Sequence, residues 1–190
     1  MRLNLARTLA RSAANGPGDR YVLWVQGCTL ACPGCWNPDT WPRVRRDERT
    51  IDEIEREILS VPNIEGVTFT GGEPFQQAPA LAALASRVRA HGLSVVVFTG
   101  YDLAELRSAA AHSLLAVTDI LIAGRYIAAQ STTDLPLRGS ANQQIHMLTD
   151  RYTTSTTTGP PTCEVHIGAD GTLILTGFPP PELLGHPADP

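Results

Sequence analysis

The sequence predicts an α/β domain built on parallel strands. Three observations carry that prediction. Apolar runs of strand length, glycine-bearing loops and amphipathic helical stretches follow one another in turn through residues 21–122. Strands separated by helices pair in parallel through crossovers, which gathers the connecting loops on one edge. A cysteine-rich loop follows the first of these strands, at the end where sites form in α/β folds.

Taken in order, Asn15-Gly16-Pro17-Gly18 is turn chemistry. Tyr21–Val25 is β-branched and aromatic and reads as a buried strand. It delivers Gln26-Gly27 and the cysteine loop. Thr50 to Ser60 reads as a helix, with Thr50 and Glu53 as a capping box and Ile51, Ile54 and Ile58 on one face. Gly66–Thr70 is the next strand and ends in Gly71-Gly72-Glu73-Pro74. Pro79 opens a second helix, with Leu81, Leu84 and Val88 inward and Gly92 as its stop. Leu93–Phe98 is a third strand, running into Thr99-Gly100-Tyr101. Asp102 is expected to cap a helix through Leu103 and Leu106. Asp119–Ile122 is a fourth strand. Glycines after strands let a ligand approach the backbone closely, although a tight turn explains any single loop as well.

Residues 1–150 are expected to form the core. Residues 151–190 read as an extension and not an independent domain. Thr153–Thr162 is an exposed Thr/Pro-rich linker, and Ala169-Asp170-Gly171 joins two short strands of a β-hairpin. The proline-rich tail from Pro179 is expected to be irregular.

The 190 residues are 43% hydrophobic and 18% charged, which suits one compact domain. A net charge of -4 gives no basic face for nucleic acid, and no apolar run is long enough to span a bilayer. Arg2, Arg7 and Arg11 precede the first acid, Asp19, as in a transit peptide. The segment lacks a secretory apolar core and runs straight into a strand, so targeting is the weaker reading. Four cysteines with no signal peptide point to a reducing, cytoplasmic setting, where they bind metal or do chemistry.

Cys28, Cys32 and Cys35 lie within eight residues. Three thiolates on one loop suit a soft centre: zinc, copper(I) or an iron–sulfur cluster. A four-iron cluster normally takes four thiolates, so a local set of three leaves one iron free for something that is not protein. A structural zinc ion would need a fourth ligand from Cys163, His166, His91 or His112. Cys163 by itself reads as a small apolar residue on a strand.

The triad followed by Gly71-Gly72-Glu73-Pro74 resembles the radical S-adenosylmethionine enzymes. Within them the chain is similar to the glycyl-radical-enzyme activases, in particular those of anaerobic ribonucleotide reductase. The likeness extends over roughly residues 10–148, through Asn15–Gly18 with Arg20, Gln26-Gly27, Pro33-Gly34, Trp36-Asn37, Thr40-Trp41, Phe98–Tyr101, Asp119–Ile122 and Arg138-Gly139-Ser140 with Asn142-Gln143. Gly34 before the last cysteine, where many members carry an aromatic residue, narrows it to the reductase activators. Ile122-Ala123-Gly124 departs from them, since members carry an acid at the position of Ala123.

The resemblance implies a partial (β/α) barrel as the radical S-adenosylmethionine core, with the C-terminal hairpin as an extension. It implies that Cys28, Cys32 and Cys35 hold three irons of a 4Fe–4S cluster, and that S-adenosylmethionine chelates the fourth. One electron then yields methionine and a 5′-deoxyadenosyl radical, which takes a hydrogen atom from a partner's glycine. Gly71, Gly72 and Glu73 are placed at the methionine ammonium, and Trp36 at the adenine. Asn37, Thr99, Gly100, Arg138, Ser140 and Asn142 complete the expected cofactor site.

The bland alternatives are turn or core roles. For Trp24, Trp41 and Phe98 core packing is expected, and His146 and His166 are structural or solvated. The expected partners are a glycyl radical enzyme and a low-potential donor such as flavodoxin or ferredoxin. The competing functions are a radical enzyme acting directly on a small molecule or peptide, and a non-catalytic metal-binding or electron-transfer module.

Overall fold

The computed structural model describes residues 1–179; the tail expected to be irregular lies outside the described residues from 180 onward. A seven-stranded sheet has the order β3-β1-β2-β4-β5-β6-β7. Its strands are β1 (Arg2–Ser12), β2 (Arg20–Val25), β3 (Asp47–Thr50), β4 (Gly66–Gly71), β5 (Ser94–Thr99), β6 (Ile120–Ala123) and β7 (Gln144–Met147). β2, β4, β5 and β6 are parallel neighbours, as the alternation of strands and helices requires. β1 and β3 on one side and β7 on the other are antiparallel, which the parallel reading did not anticipate.

The central strands are apolar on both faces because both are covered. On β5, Val95 and Val97 pack with the helices, whereas Val96 belongs to a second cluster on the opposite face. β6 divides in the same way, with Leu121 and Ala123 on the helix side and Ile120 and Ile122 on the other. The second face is covered by Leu137, Tyr152 and Phe178.

Helix α1 (Ile51–Ser60) starts at the expected capping box: Thr50 Oγ1 accepts the Glu53 N–H, and Glu53 Oε2 accepts the Thr50 N–H. Ile51, Ile54 and Ile58 are its buried face. Helix α2 (Ala78–Ala90) buries Leu81, Leu84 and Val88, and the Leu93 N–H reaches back to Val88 O past Gly92. The third helix differs from expectation. After Asp102 the chain makes only a 3₁₀ turn at Leu103–Glu105, and Leu106 drops into the core. Ser108 then caps α3 (Ala109–Leu115), its hydroxyl accepting the Ala111 N–H at 3.1 Å.

β1 is the element that the arginines concealed. Leu3 and Leu5 are fully buried while Arg2 is exposed and Arg7 and Arg11 are half-buried, so the segment with transit-peptide charge is a sheet strand. Arg20 begins β2 and is fully buried. Its guanidinium donates to Thr68 Oγ1, Pro17 O, Val67 O, Ser94 Oγ and Ser94 O, fastening β2, β4 and β5 at their amino ends. Five satisfied donors make burial of that cation tolerable.

The hairpin signal holds. β8 (Cys163–Ile167) and β9 (Leu173–Gly177) form a separate two-stranded antiparallel sheet. Thr154–Thr157 adds a 3₁₀ turn within the mostly exposed linker. No helix among the described residues is long and apolar enough to cross a membrane.

Candidate active site

A cavity of about 360 Å³ opens at the carboxyl ends of the parallel strands. Trp24 from β2, Thr70 to Glu73 at the end of β4, Phe98 to Gly100 at the end of β5 and Gly124 after β6 line it. So do Cys28, Cys32, Cys35, Trp36 and Asn37. The expected triad and the expected glycine loops are thus brought to one space.

The cysteine loop is held from behind. The Gly27 N–H donates to Thr40 O at 2.8 Å, and the Cys28 N–H to Trp41 O at 3.1 Å. Within the loop the Cys35 N–H donates to Cys32 O at 3.1 Å, and the Asn37 N–H approaches Cys35 Sγ at 3.4 Å. All three thiols are free and partly exposed. Burial pushes the Cys28 and Cys32 thiols up, so a metal centre must displace their protons.

Gly71 and Gly72 are glycines for steric reasons. Gly71 has φ +95°, and a Cβ there would stand 2.6 Å from Trp24 Cα. A Cβ on Gly72 would stand 2.3 Å from Gly27 O. The glycine loop therefore lies directly on the strand that delivers the cysteines, and the Glu73 N–H donates to Gly27 O at 2.9 Å.

Glu73 is 1% exposed. Its carboxylate accepts from Thr99 Oγ1 at 2.8 Å and from the Gly100 and Phe75 N–H groups at 2.9 Å each. Burial pushes its carboxyl up to about 7, against the pull of those three donors. The residue clasps the β4 and β5 loops together beside the cavity.

Arg138, Ser140 and Asn142 are not among the lining residues. Ser140 is fully buried, and its hydroxyl accepts the Ile127 N–H at 3.2 Å. Asn142 donates to Arg125 O at 2.8 Å. Arg138 keeps a buried Nε without a hydrogen-bond partner. Their loop instead brings Gly139 and Gln143 to the wall, where Gln143 Oε1 accepts the Gly139 N–H at 2.8 Å. Ala123 is 2% exposed at the end of β6, which leaves no acid there.

Several lining residues were not legible as such. Trp24, Trp41 and Phe98, expected in the core, all face the cavity. Arg7 reaches it from β1, lies over the Trp24 ring at 4.9 Å and donates to Asn37 Oδ1 at 2.6 Å. Three widely spaced arginines on one segment, Arg2, Arg7 and Arg11, gave no signal for that role. Leu175 to Pro179 also line the cavity, so the hairpin end belongs to the site.

The donor set fits a cluster better than one ion. Among the described residues no three His, Cys, Asp or Glu side chains are arranged to hold a single metal. Cys163, His166, His91 and His112 are absent from the lining, so the fourth zinc ligand is not supplied there. Three soft sulfurs on one wall match a cluster with one iron left for another ligand.

The family model of the 4Fe-4S single cluster domain matches residues 14–146. The anaerobic ribonucleoside-triphosphate reductase-activating protein of Escherichia coli K12 is 36% identical over 143 residues, 70% of this chain and 92% of that protein. Its Vibrio cholerae counterpart is 38% identical over 144 residues, 71% of this chain and 92% of that protein. A pyruvate formate-lyase-activating enzyme of Staphylococcus epidermidis is 44% identical over 92 residues, 45% of this chain and 36% of that protein. With its three cysteines and glycine loops on one cavity, the chain belongs to the 4Fe-4S single cluster domain family, among the activating enzymes of radical S-adenosylmethionine type.

Proposed function

We propose that the protein installs a glycyl radical on a partner enzyme, an anaerobic ribonucleotide reductase or a close analogue. The observation that carries this reading is the meeting of Cys28, Cys32 and Cys35 with Gly71, Gly72 and Glu73 around one cavity. Cys28, Cys32 and Cys35 would hold a 4Fe–4S cluster. When bound, the cluster supplies the electron that cleaves S-adenosylmethionine to methionine and a 5′-deoxyadenosyl radical. The protein's own residues bind, orient and exclude water. Gly71 and Gly72 let the ligand approach the backbone closely, Trp36 and Phe98 offer apolar ring faces, and Glu73 keeps two loops in register.

The parallel strands are read as a partial barrel over residues 1–150, and residues 151–190 as its extension. The electron donor is read as a flavodoxin or ferredoxin, and the setting as the cytoplasm. The test is to incubate reconstituted, reduced protein with S-adenosylmethionine and a purified reductase. Release of 5′-deoxyadenosine with a glycine-centred spin signal is expected. Absence of the nucleoside leaves only a metal-binding or electron-transfer module. Nucleoside without the glycine signal favours the second reading, a radical enzyme acting directly on a small molecule or peptide. The hairpin end that walls the cavity gives that reading its support.

A further inference from the structure

Part of the cavity wall comes from beyond the family's matched residues, 14–146. Leu175, Thr176, Gly177, Phe178 and Pro179 line it from the end of β9 onward. Phe178 is 9% exposed. Its ring meets Trp36 edge-on at 6.0 Å and lies 6.2 Å from Phe98. Trp36 follows the last cysteine of the triad, and Phe98 precedes the Thr99–Gly100 pair that holds Glu73. One side chain of the extension therefore bridges the cysteine loop and the end of β5.

The extension is fastened at defined points. Glu164 accepts from Ser12 Oγ at 2.5 Å and from the Ala13 N–H at 2.9 Å. Asn15, itself a lining residue, donates to Thr176 Oγ1 at 2.8 Å. Within the extension itself, the Phe178 N–H donates to Thr162 O at 2.9 Å. A two-stranded ribbon is marginal by itself, so these contacts and the Phe178 ring decide where its end stands.

We infer that the hairpin is the substrate-side wall of the site and that Phe178 positions the hydrogen donor. This rests on the activase reading. An aromatic wall of rings tilted against one another, closed at its edge by the Asn15–Thr176 hydrogen bond, suits an extended, uncharged peptide segment that bears a glycine. The hairpin residues of that wall carry no charge, and the cavity's charged lining is Arg7 of β1 and the Glu73 carboxyl on the other walls. Hydrogen transfer breaks the glycine Cα–H bond and forms a C–H bond at the 5′ carbon of the nucleoside, leaving the unpaired electron on the glycine. The electron that starts the sequence comes from the added reductant. The two carbons must be in contact, so a wall that fixes the peptide sets how many cleavage events end on glycine.

The test uses cluster-loaded protein, dithionite, S-adenosylmethionine and purified anaerobic ribonucleotide reductase, after iron content is measured. Two quantities are read: glycine spins per 5′-deoxyadenosine formed, and affinity for the reductase without reductant. Phe178→Ala is expected to lower both by about fivefold, the scale of one lost aromatic contact. Phe178→Tyr keeps the ring and should keep both values. Ile167→Ser, at the exposed end of the hairpin, should also keep them. Unchanged values in Phe178→Ala overturn the inference and leave the activase reading standing. Loss of iron in Phe178→Ala overturns it as well, by making the residue a support of the cluster. Nucleoside without any glycine signal in the unaltered protein removes the activase reading and this inference with it.

Discussion

At the scale of single residues, chemistry and scaffolding divide between side chains that stand close together. Cys28, Cys32 and Cys35 line the cavity, while Cys163 lies on β8 outside it. Replacing any of the three by Ala should abolish the cluster's visible absorbance, whereas Cys163→Ala should retain it; iron analysis checks both. Glu73 gives a second prediction. Its carboxyl is raised from 4.5 to about 7, so the folded state favours the protonated form. The stabilisation is full below the ordinary carboxylate value and is lost as pH rises through about 7. The shift corresponds to about 3 kcal/mol. Urea unfolding of the apo protein at pH 5 and pH 8 should show that decline, and Glu73→Gln should flatten it. A slope equal in both proteins would assign the pH dependence elsewhere.

At the scale of elements, the joints between strands are polar and buried. Asp119 is 1% exposed where β6 begins. Its carboxylate accepts the Val95 N–H at 2.8 Å and Thr149 Oγ1 at 2.7 Å, and pairs with Arg89 of α2 at 2.6 Å. Burial raises its carboxyl, but these donors outweigh it and leave the group below its ordinary value. Its stabilising contribution is therefore present above the ordinary carboxylate range and fades as pH falls through the folded value. Asp119→Ala should cost about 2–4 kcal/mol, since two hydrogen-bond donors and the Arg89 cation around one buried site lose their partner. Equilibrium unfolding at neutral pH measures it, and the difference from the unaltered protein should shrink in acid.

At the scale of the whole molecule, the seven-stranded sheet and the hairpin are held in different ways. β2 is buried along its entire length, whereas the outer residues of the hairpin are exposed, with Val165 at 60% and Ile167 at 75%. Local opening follows such differences. Amides of β8 and β9 should exchange with solvent at least about tenfold faster than those of β2, β4 and β5, by native-state hydrogen exchange. Equal protection would mean that the hairpin opens only with the core.

The sequence by itself determined the chemistry and the order of the parallel elements. A cysteine triad, a Gly-Gly-Glu loop and a capping box are local patterns whose spacing is written in consecutive residues. Tertiary structure decided what depends on distant partners. β1 was concealed because its arginines answer to Asn37, Asp39 and Asp19 on other segments. Phe178 became part of the site only when β9 was fastened to residues more than 100 positions away, a pairing that no periodicity in the chain can signal because packing selects it.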